Sequence, residues 1–281
     1  MKGVAYILLA FAIAGHVAGY RLQEEDEYEP FVPFITGGTN AVLGQFASVV
    51  AVGLPAPPTN AFCGGVILND NHVLTAAICV LTPQHTLLQN TAVTILSGAL
   101  QLNFAGARIA ISAMYVHPQY NPYTFENNLA VLRTSTNFFF PVVPVPSLDV
   151  ATIYEEVMFD GQACQVVGWA NGTASPLQQF INTPILNRDT CNTLAVNLGR
   201  VQDSMVCAGT TGTGPGVCAS NQGTGLFCEG RLAGILVTGL GCGQANNPGI
   251  YAQLRYYLPW IREQFTRQDI PLAGSSPIPA L

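Results

Sequence analysis

Charge is what this sequence has least of. Charged residues make up 9% of the 281-residue chain, against roughly 25% in an ordinary soluble domain. Its polar surface must therefore be assembled mainly from Asn, Gln, Thr and Ser. The net charge is −6 and no cluster of Lys or Arg occurs. That argues against nucleic-acid or heparin-like partners, which are held by clustered cations. Cys-x-x-Cys pairs are also missing, so the short paired spacings of a structural zinc site do not occur, and neither a metal nor another cofactor is expected. No internal repeat is present. No apolar run reaches the roughly 20 residues of a membrane-spanning helix; the first, residues 4–15, has only about a dozen, and no membrane partner is expected.

That short run fits a different use. Met1-Lys2 supplies a positive start, and Val17, Ala18 and Gly19 offer small residues for cleavage, so residues 1–19 read as a secretory signal peptide. Eight cysteines, at 63, 79, 164, 191, 207, 218, 228 and 242, agree with export to an oxidising compartment, where an even number spread along the chain implies four disulfides. The expected location is extracellular. After the signal, residues 20–34 form an acidic extension containing "EEDEYEP". Its like charges repel one another, which suits a solvated linker; a short propeptide or a docking tail are the alternatives. Asn171-Gly-Thr is an N-glycosylation sequon and Asn171 the acceptor candidate.

From Ile35 the chain breaks into short apolar, β-branched segments separated by Gly, Pro and Asn. Residues 46–52, 92–98, 107–116, 128–133, 164–169 and 232–239 are predicted strands. "YYLPWIREQF" (256–265) has helical spacing, with Pro259 in its first turn, where a missing N–H is harmless. Residues 266–281 form a Pro/Ser-rich tail predicted to be flexible. Many strands and one late helix predict an all-β domain over residues 35–265.

Several blocks then converge on one family. "FCGGVILNDNHVLTAAIC" (62–79) resembles the segment of chymotrypsin-like serine proteases that ends Ala-Ala-His-Cys. "VHPQYNPYTFENNLAVLR" (116–133) resembles the segment carrying the catalytic aspartate. "CQVVGW", "LQQFINTPILNRDTC", "CASNQGTGLFC" and "NNPGIYAQLRYYLPWI" resemble further family blocks in their usual order. The resemblance implies two six-stranded antiparallel β-barrels with a C-terminal helix. It also implies the pairings Cys63–Cys79, Cys164–Cys228, Cys191–Cys207 and Cys218–Cys242.

The same resemblance locates the catalytic positions, and all three are substituted. The histidine position is Ile78, the aspartate position Asn128 and the nucleophile position Gln222. Acyl transfer in this family needs a hydroxyl, a base that takes its proton and a carboxylate that fixes the base. Isoleucine accepts no proton, and a carboxamide is not a nucleophile. Thr224 is nearby in sequence, but with the histidine position lost no base serves it, and rescue by His72, His85 or His117 (the last expected to be structural or exposed) is not expected. The oxyanion-hole positions are Ser220 and Gln222, and Ser220 replaces a glycine. Asn221 stands where the family has an aspartate that receives a new N-terminal ammonium. "FITGG" resembles the Ile-Val-Gly-Gly start, yet Phe34 precedes it in place of Arg or Lys. The base of the specificity pocket maps to Gly216, so an anionic pocket is not expected, and residues 237–242 are one residue short and lack the usual tryptophan.

These readings lead to an expected non-enzyme. The chain is read as a secreted serine protease homologue that acts by binding an extracellular protein, such as a protease or zymogen, as regulator, cofactor or decoy. A structural or matrix role is one alternative, since few charges oppose self-association. A weakly active endopeptidase of unusual mechanism is the other.

Overall fold

The computed structural model describes residues 35–55, 61–102, 106–140, 148–169, 177–194, 201–218, 221–239 and 243–267. The chain divides into two units, Met1–Pro30 and Phe31–Leu281, and all described residues belong to the second. The signal peptide, the acidic extension, Asn171, Ser220, Cys242 and all but the first two residues of the tail lie outside them.

Six strands close the first barrel: β2 (Val49–Gly53), β3 (Ala61–Asn69), β4 (His72–Thr75), β5 (Thr94–Ser97), β6 (Ala107–Val116) and β7 (Ala130–Thr134), in the order β2-β3-β4-β7-β6-β5. The second barrel contains β8 (Ala163–Trp169), β9 (Gln178–Leu186), β10 (Met205–Ala208), β11 (Gly225–Cys228), β12 (Arg231–Thr238) and β13 (Gly249–Gln253). Its order is β9-β10-β13-β12-β11-β8, closed by the β8–β9 pair, and the two-residue strand β1 (Thr39–Asn40) adds to β9. Every ladder is antiparallel. The two six-stranded barrels implied by the resemblance are therefore present. A short helix α1 (Arg188–Leu194) links β9 towards β10, and α2 (Leu258–Thr266) follows the second barrel.

The strongly β-branched segments match their predicted strands best. Residues 107–116 coincide with β6, and residues 164–169 and 232–239 match β8 and β12 to within a residue at each end. The predicted 46–52 and 128–133 start two to three residues late, as β2 and β7. The predicted 92–98 shrinks to β5 because Asn90–Ala92 forms a 3-10 turn. The final helix is shorter at its start than the predicted 256–265: Leu254–Tyr256 is a separate 3-10 turn, and α2 begins beside Pro259. Proline cannot donate to a preceding turn, so the helix starts at it and not before.

The strands β3, β9 and β11 carry weak local signals because each is interrupted by glycine, proline or polar residues. Tertiary contact explains one interruption. A Cβ on Gly64 would lie 2.8 Å from the Thr224 Cα, so β3 is bare where a loop of the second barrel crosses it. Gly64 N–H donates to the Gln222 carbonyl across this junction (2.9 Å). Two buried clusters fill the molecule, one built around Val50, Ile67, Leu74, Ile95, Leu129 and Leu132, the other around Ile35, Val166, Leu226, Leu236 and Tyr251. Each such aliphatic side chain contributes roughly 1.5–3 kcal/mol by leaving water.

Three of the implied disulfides are formed: Cys63–Cys79, Cys164–Cys228 and Cys191–Cys207. Cys218 is also disulfide-bonded, and Cys242, its implied partner, lies outside the described residues. Each bond contributes on the order of 2–4 kcal/mol, largely by restricting the unfolded chain.

Candidate functional site

The three substituted positions converge between the barrels. Ile78 sits on the 3-10 turn Ala77–Val80, fixed by its neighbour Cys79, whose disulfide anchors the turn to β3. Its side chain is half-buried and packs against the first core cluster. Asn128 lies two residues before β7 and is fully buried (0% exposed). The left-handed Asn127 (φ 55°) turns the chain so that Asn128 faces the junction. Gln222 lies on the loop before β11 and is also buried.

Their hydrogen bonds join neutral groups only. Ile78 N–H donates to Asn128 Oδ1 (3.0 Å), and Asn128 Nδ2 donates to the Val237 carbonyl (3.3 Å). Gln222 Nε2 donates to that same carbonyl (3.1 Å). One backbone oxygen on β12 thus uses both lone pairs on two side-chain amides. The partners also fix the orientation of Asn128: an N–H needs the oxygen opposite it, and a carbonyl needs the amino group. A carboxylate, which only accepts, could serve Ile78 but not Val237. None of the three side chains titrates.

Other candidate groups are engaged elsewhere. Thr224 is 1% exposed, and its hydroxyl faces Gly64 in the tight inter-barrel contact. His72, on β4, pairs Nδ1 with Asn69 Oδ1 (2.9 Å), with its ring 5.1 Å from that of Phe265. His117 packs on Trp260 and Tyr257, with ring centroids 4.8 and 5.6 Å away, and its Nδ1 accepts from Gln119 N–H (3.3 Å). Burial holds its pKa below the ordinary histidine value. His85 lies near Tyr123 on an exposed loop, their rings 6.4 Å apart. Among the described residues no group of three or more His, Cys, Asp or Glu could hold a metal ion.

The position expected to form the pocket base, Gly216, exchanges two backbone hydrogen bonds with Thr36 (3.0 and 3.1 Å). Its neighbour Val217 was not singled out by the sequence, yet it decides the shape here. A Cβ on either Gly239 or Gly249 would lie 2.8 Å from Val217 Cγ2. These glycines and Val217 belong to facing segments, so the valine side chain packs against both and narrows the space between them. Tyr251 approaches from β13, with its hydroxyl 2.8 Å from the same Gly249 position, and full burial pushes its pKa well above the ordinary phenol value. Val217, Gly249 and Tyr251 also line a small uncharged cleft that continues to Asn182, Thr210 and Gln244. The only sequence signal for this narrowing is a bulky residue beside Gly216 combined with the short 237–242 segment.

Asn221 is 3% exposed, and its Oδ1 accepts from Cys218 N–H (2.8 Å). Ser220 lies outside the described residues. No described helix is long and apolar enough to cross a membrane.

Comparison with known proteins agrees with this architecture. Residues 35–261 match the Trypsin family model. The chain is 30% identical to a protein named Trypsin, alkaline B, of Manduca sexta over 81% of this chain and 90% of that protein. It is also 30% identical to Anionic trypsin of Bos taurus, over 72% of this chain and 79% of its relative. A further relative, Trypsin, alkaline A, of Manduca sexta, is 29% identical over 92% and 97% respectively. With two closed barrels, three disulfides at the implied pairings and a family match across nearly all of the folded part, the chain belongs to the trypsin family of serine protease homologues.

Proposed function

We propose that this chain is a secreted, non-catalytic member of the family that works by binding another extracellular protein, as a regulator, cofactor or decoy in a protease cascade. The observation that carries this reading is the pair of amides on the Val237 carbonyl. Where a base and a nucleophile would have to meet, two carboxamides and an isoleucine spend their polar atoms on the backbone and on one another. Hydrolysis without a base or an activated hydroxyl loses several orders of magnitude, because the triad members act as a unit. The Val217 side chain in the pocket slot adds a steric reason against ordinary substrate binding. Export is supported by the N-terminal apolar run and the disulfides.

Two measurements test it. The folded protein is incubated with peptide esters and with a serine-directed covalent probe; neither turnover nor labelling is expected. Specific turnover, or label on Gln222, Thr224 or Ser220, would overturn the non-catalytic reading. The mature protein is then used as bait in its native extracellular fluid, where recovery of a protease or zymogen is expected. Concentration-dependent oligomers in sedimentation, with no protease recovered, would replace the regulator with a structural role.

A further inference from the structure

Ile35 opens the described fold as a core residue. It is 1% exposed and belongs to the second buried cluster. Its N–H donates to the Trp169 carbonyl at 2.8 Å, and Thr36 follows with its two-way pairing to Gly216. The socket is walled closely. A Cβ on Gly38 would lie 2.8 Å from Ile35 Cγ2, and one on Gly168 would lie 3.3 Å from both Ile35 Cδ1 and Asn221 Nδ2. The polar side chain at the back of this socket is therefore a neutral amide, and its oxygen is already used by Cys218 N–H.

A peptide N–H suits such a place. It offers one donor, and one carbonyl satisfies it. Cutting the chain before Ile35 would turn that nitrogen into an ammonium with a unit charge and extra donors. Burying a cation beside a neutral amide is costly, because the amide makes only a weaker hydrogen bond than a carboxylate would. The sequence before Ile35 agrees: the only Lys and Arg there are Lys2 and Arg21, and Phe34 supplies the preceding side chain.

We infer that the folded protein is single-chain across the Phe34–Ile35 bond: Ile35 docks as an uncut residue, no cleavage there completes the fold, and Asn221 is the residue that matches the socket to an uncharged nitrogen. The acidic extension stays covalently attached at least through Phe34. This conclusion does not depend on whether the chain hydrolyses anything.

The composition makes the inference easy to test. Lys2 is the only lysine in the sequence, so once the signal peptide is gone an amine-specific reagent marks chain N-termini alone. The protein secreted from eukaryotic cells is denatured, amine-labelled and digested. The labelled terminus is expected upstream of Phe34; a folded, secreted protein that begins at Ile35 would overturn the proposal. A second experiment replaces residues 30–34 with an enteropeptidase site, so that one cut frees the Ile35 amine. With Asn221 in place, cutting should lower the folding equilibrium at least tenfold and weaken hydrogen-exchange protection at Thr36 and Gly216. With Asn221→Asp the order should reverse, the cut form becoming the more stable. A cut Asn221 protein that is more stable or better protected than the uncut one would also overturn it, and this pair decides the matter even if the aspartate variant fails to fold.

Discussion

Replacing Asn128 with aspartate exchanges one amino group for an oxygen at almost constant volume. The residue is fully buried, so water cannot reach the change. One carboxylate oxygen keeps the Ile78 N–H at 3.0 Å. The other now faces the Val237 carbonyl, which previously accepted from Asn128 at 3.3 Å. A lost hydrogen bond costs about 1 kcal/mol net, and an incompletely compensated buried charge costs about 3–5 kcal/mol. The retained charge-assisted bond from Ile78 offsets about 1–2 kcal/mol of this. The expected loss at pH 7 is therefore roughly 2–5 kcal/mol, or roughly 4–20 °C in Tm at about 2–4 °C per kcal/mol. Desolvation and the facing carbonyl raise the folded pKa of the new carboxyl above its unfolded value near 4. The stability deficit is then smallest below that unfolded value, where the protonated acid can donate to Val237, and grows as pH rises through the folded pKa. Urea unfolding of both proteins from pH 3.5 to 8 measures the difference. A variant as stable as the parent at pH 7, or a deficit that does not change with pH, would refute the account of this site as a matched set of neutral amides.

Two further outcomes follow from single residues. Gly223 has φ +81°, and a Cβ there would overlap the Gly64 carbonyl and the Thr75 hydroxyl; Gly161 has φ +80° with nothing within 4 Å. Gly223→Ala should therefore cost more than about 3 kcal/mol or abolish folding, while Gly161→Ala costs about 1 kcal/mol, as thermal denaturation of the two proteins will report. Burial depresses the folded pKa of His117 below 6.5, so its contribution is present above the unfolded value and is lost as pH falls through the folded one. His117→Phe should flatten the dependence of Tm on pH between about 7 and 5; an unchanged slope would show that this imidazole does not titrate with folding.

Legibility in the sequence followed how local each signal was. The strand β6 could be read to the residue because Ile109, Ile111, Tyr115 and Val116 favour extended backbone and no Gly or Pro interrupts the ten-residue run. Strands β3 and β11 could not be read from propensity, since their glycines answer to neighbours far along the chain. The cysteine pattern and the motif blocks compensated by locating Ile78, Asn128 and Gln222 through their flanking residues. What each replacement does was beyond that reading, because the partner that joins two of them is the backbone carbonyl of Val237, which has no side-chain signature. Val217 was missed for a related reason: a valine beside Gly216 is unremarkable until Gly239 and Gly249 are brought against it.

The sequence by itself determined the two-barrel family, three disulfide pairings and the uncharged, non-titrating character of Ile78, Asn128 and Gln222, since residue identity and spacing carry these directly. Only the tertiary structure decided that Asn128 and Gln222 share the Val237 carbonyl, that a valine narrows the cleft beside Gly216, and that Ile35 is seated as a neutral amide. Each of those depends on atoms at least 15 residues apart in the chain meeting within a few ångströms in a water-poor junction, where pairing donors with acceptors matters more than local preference.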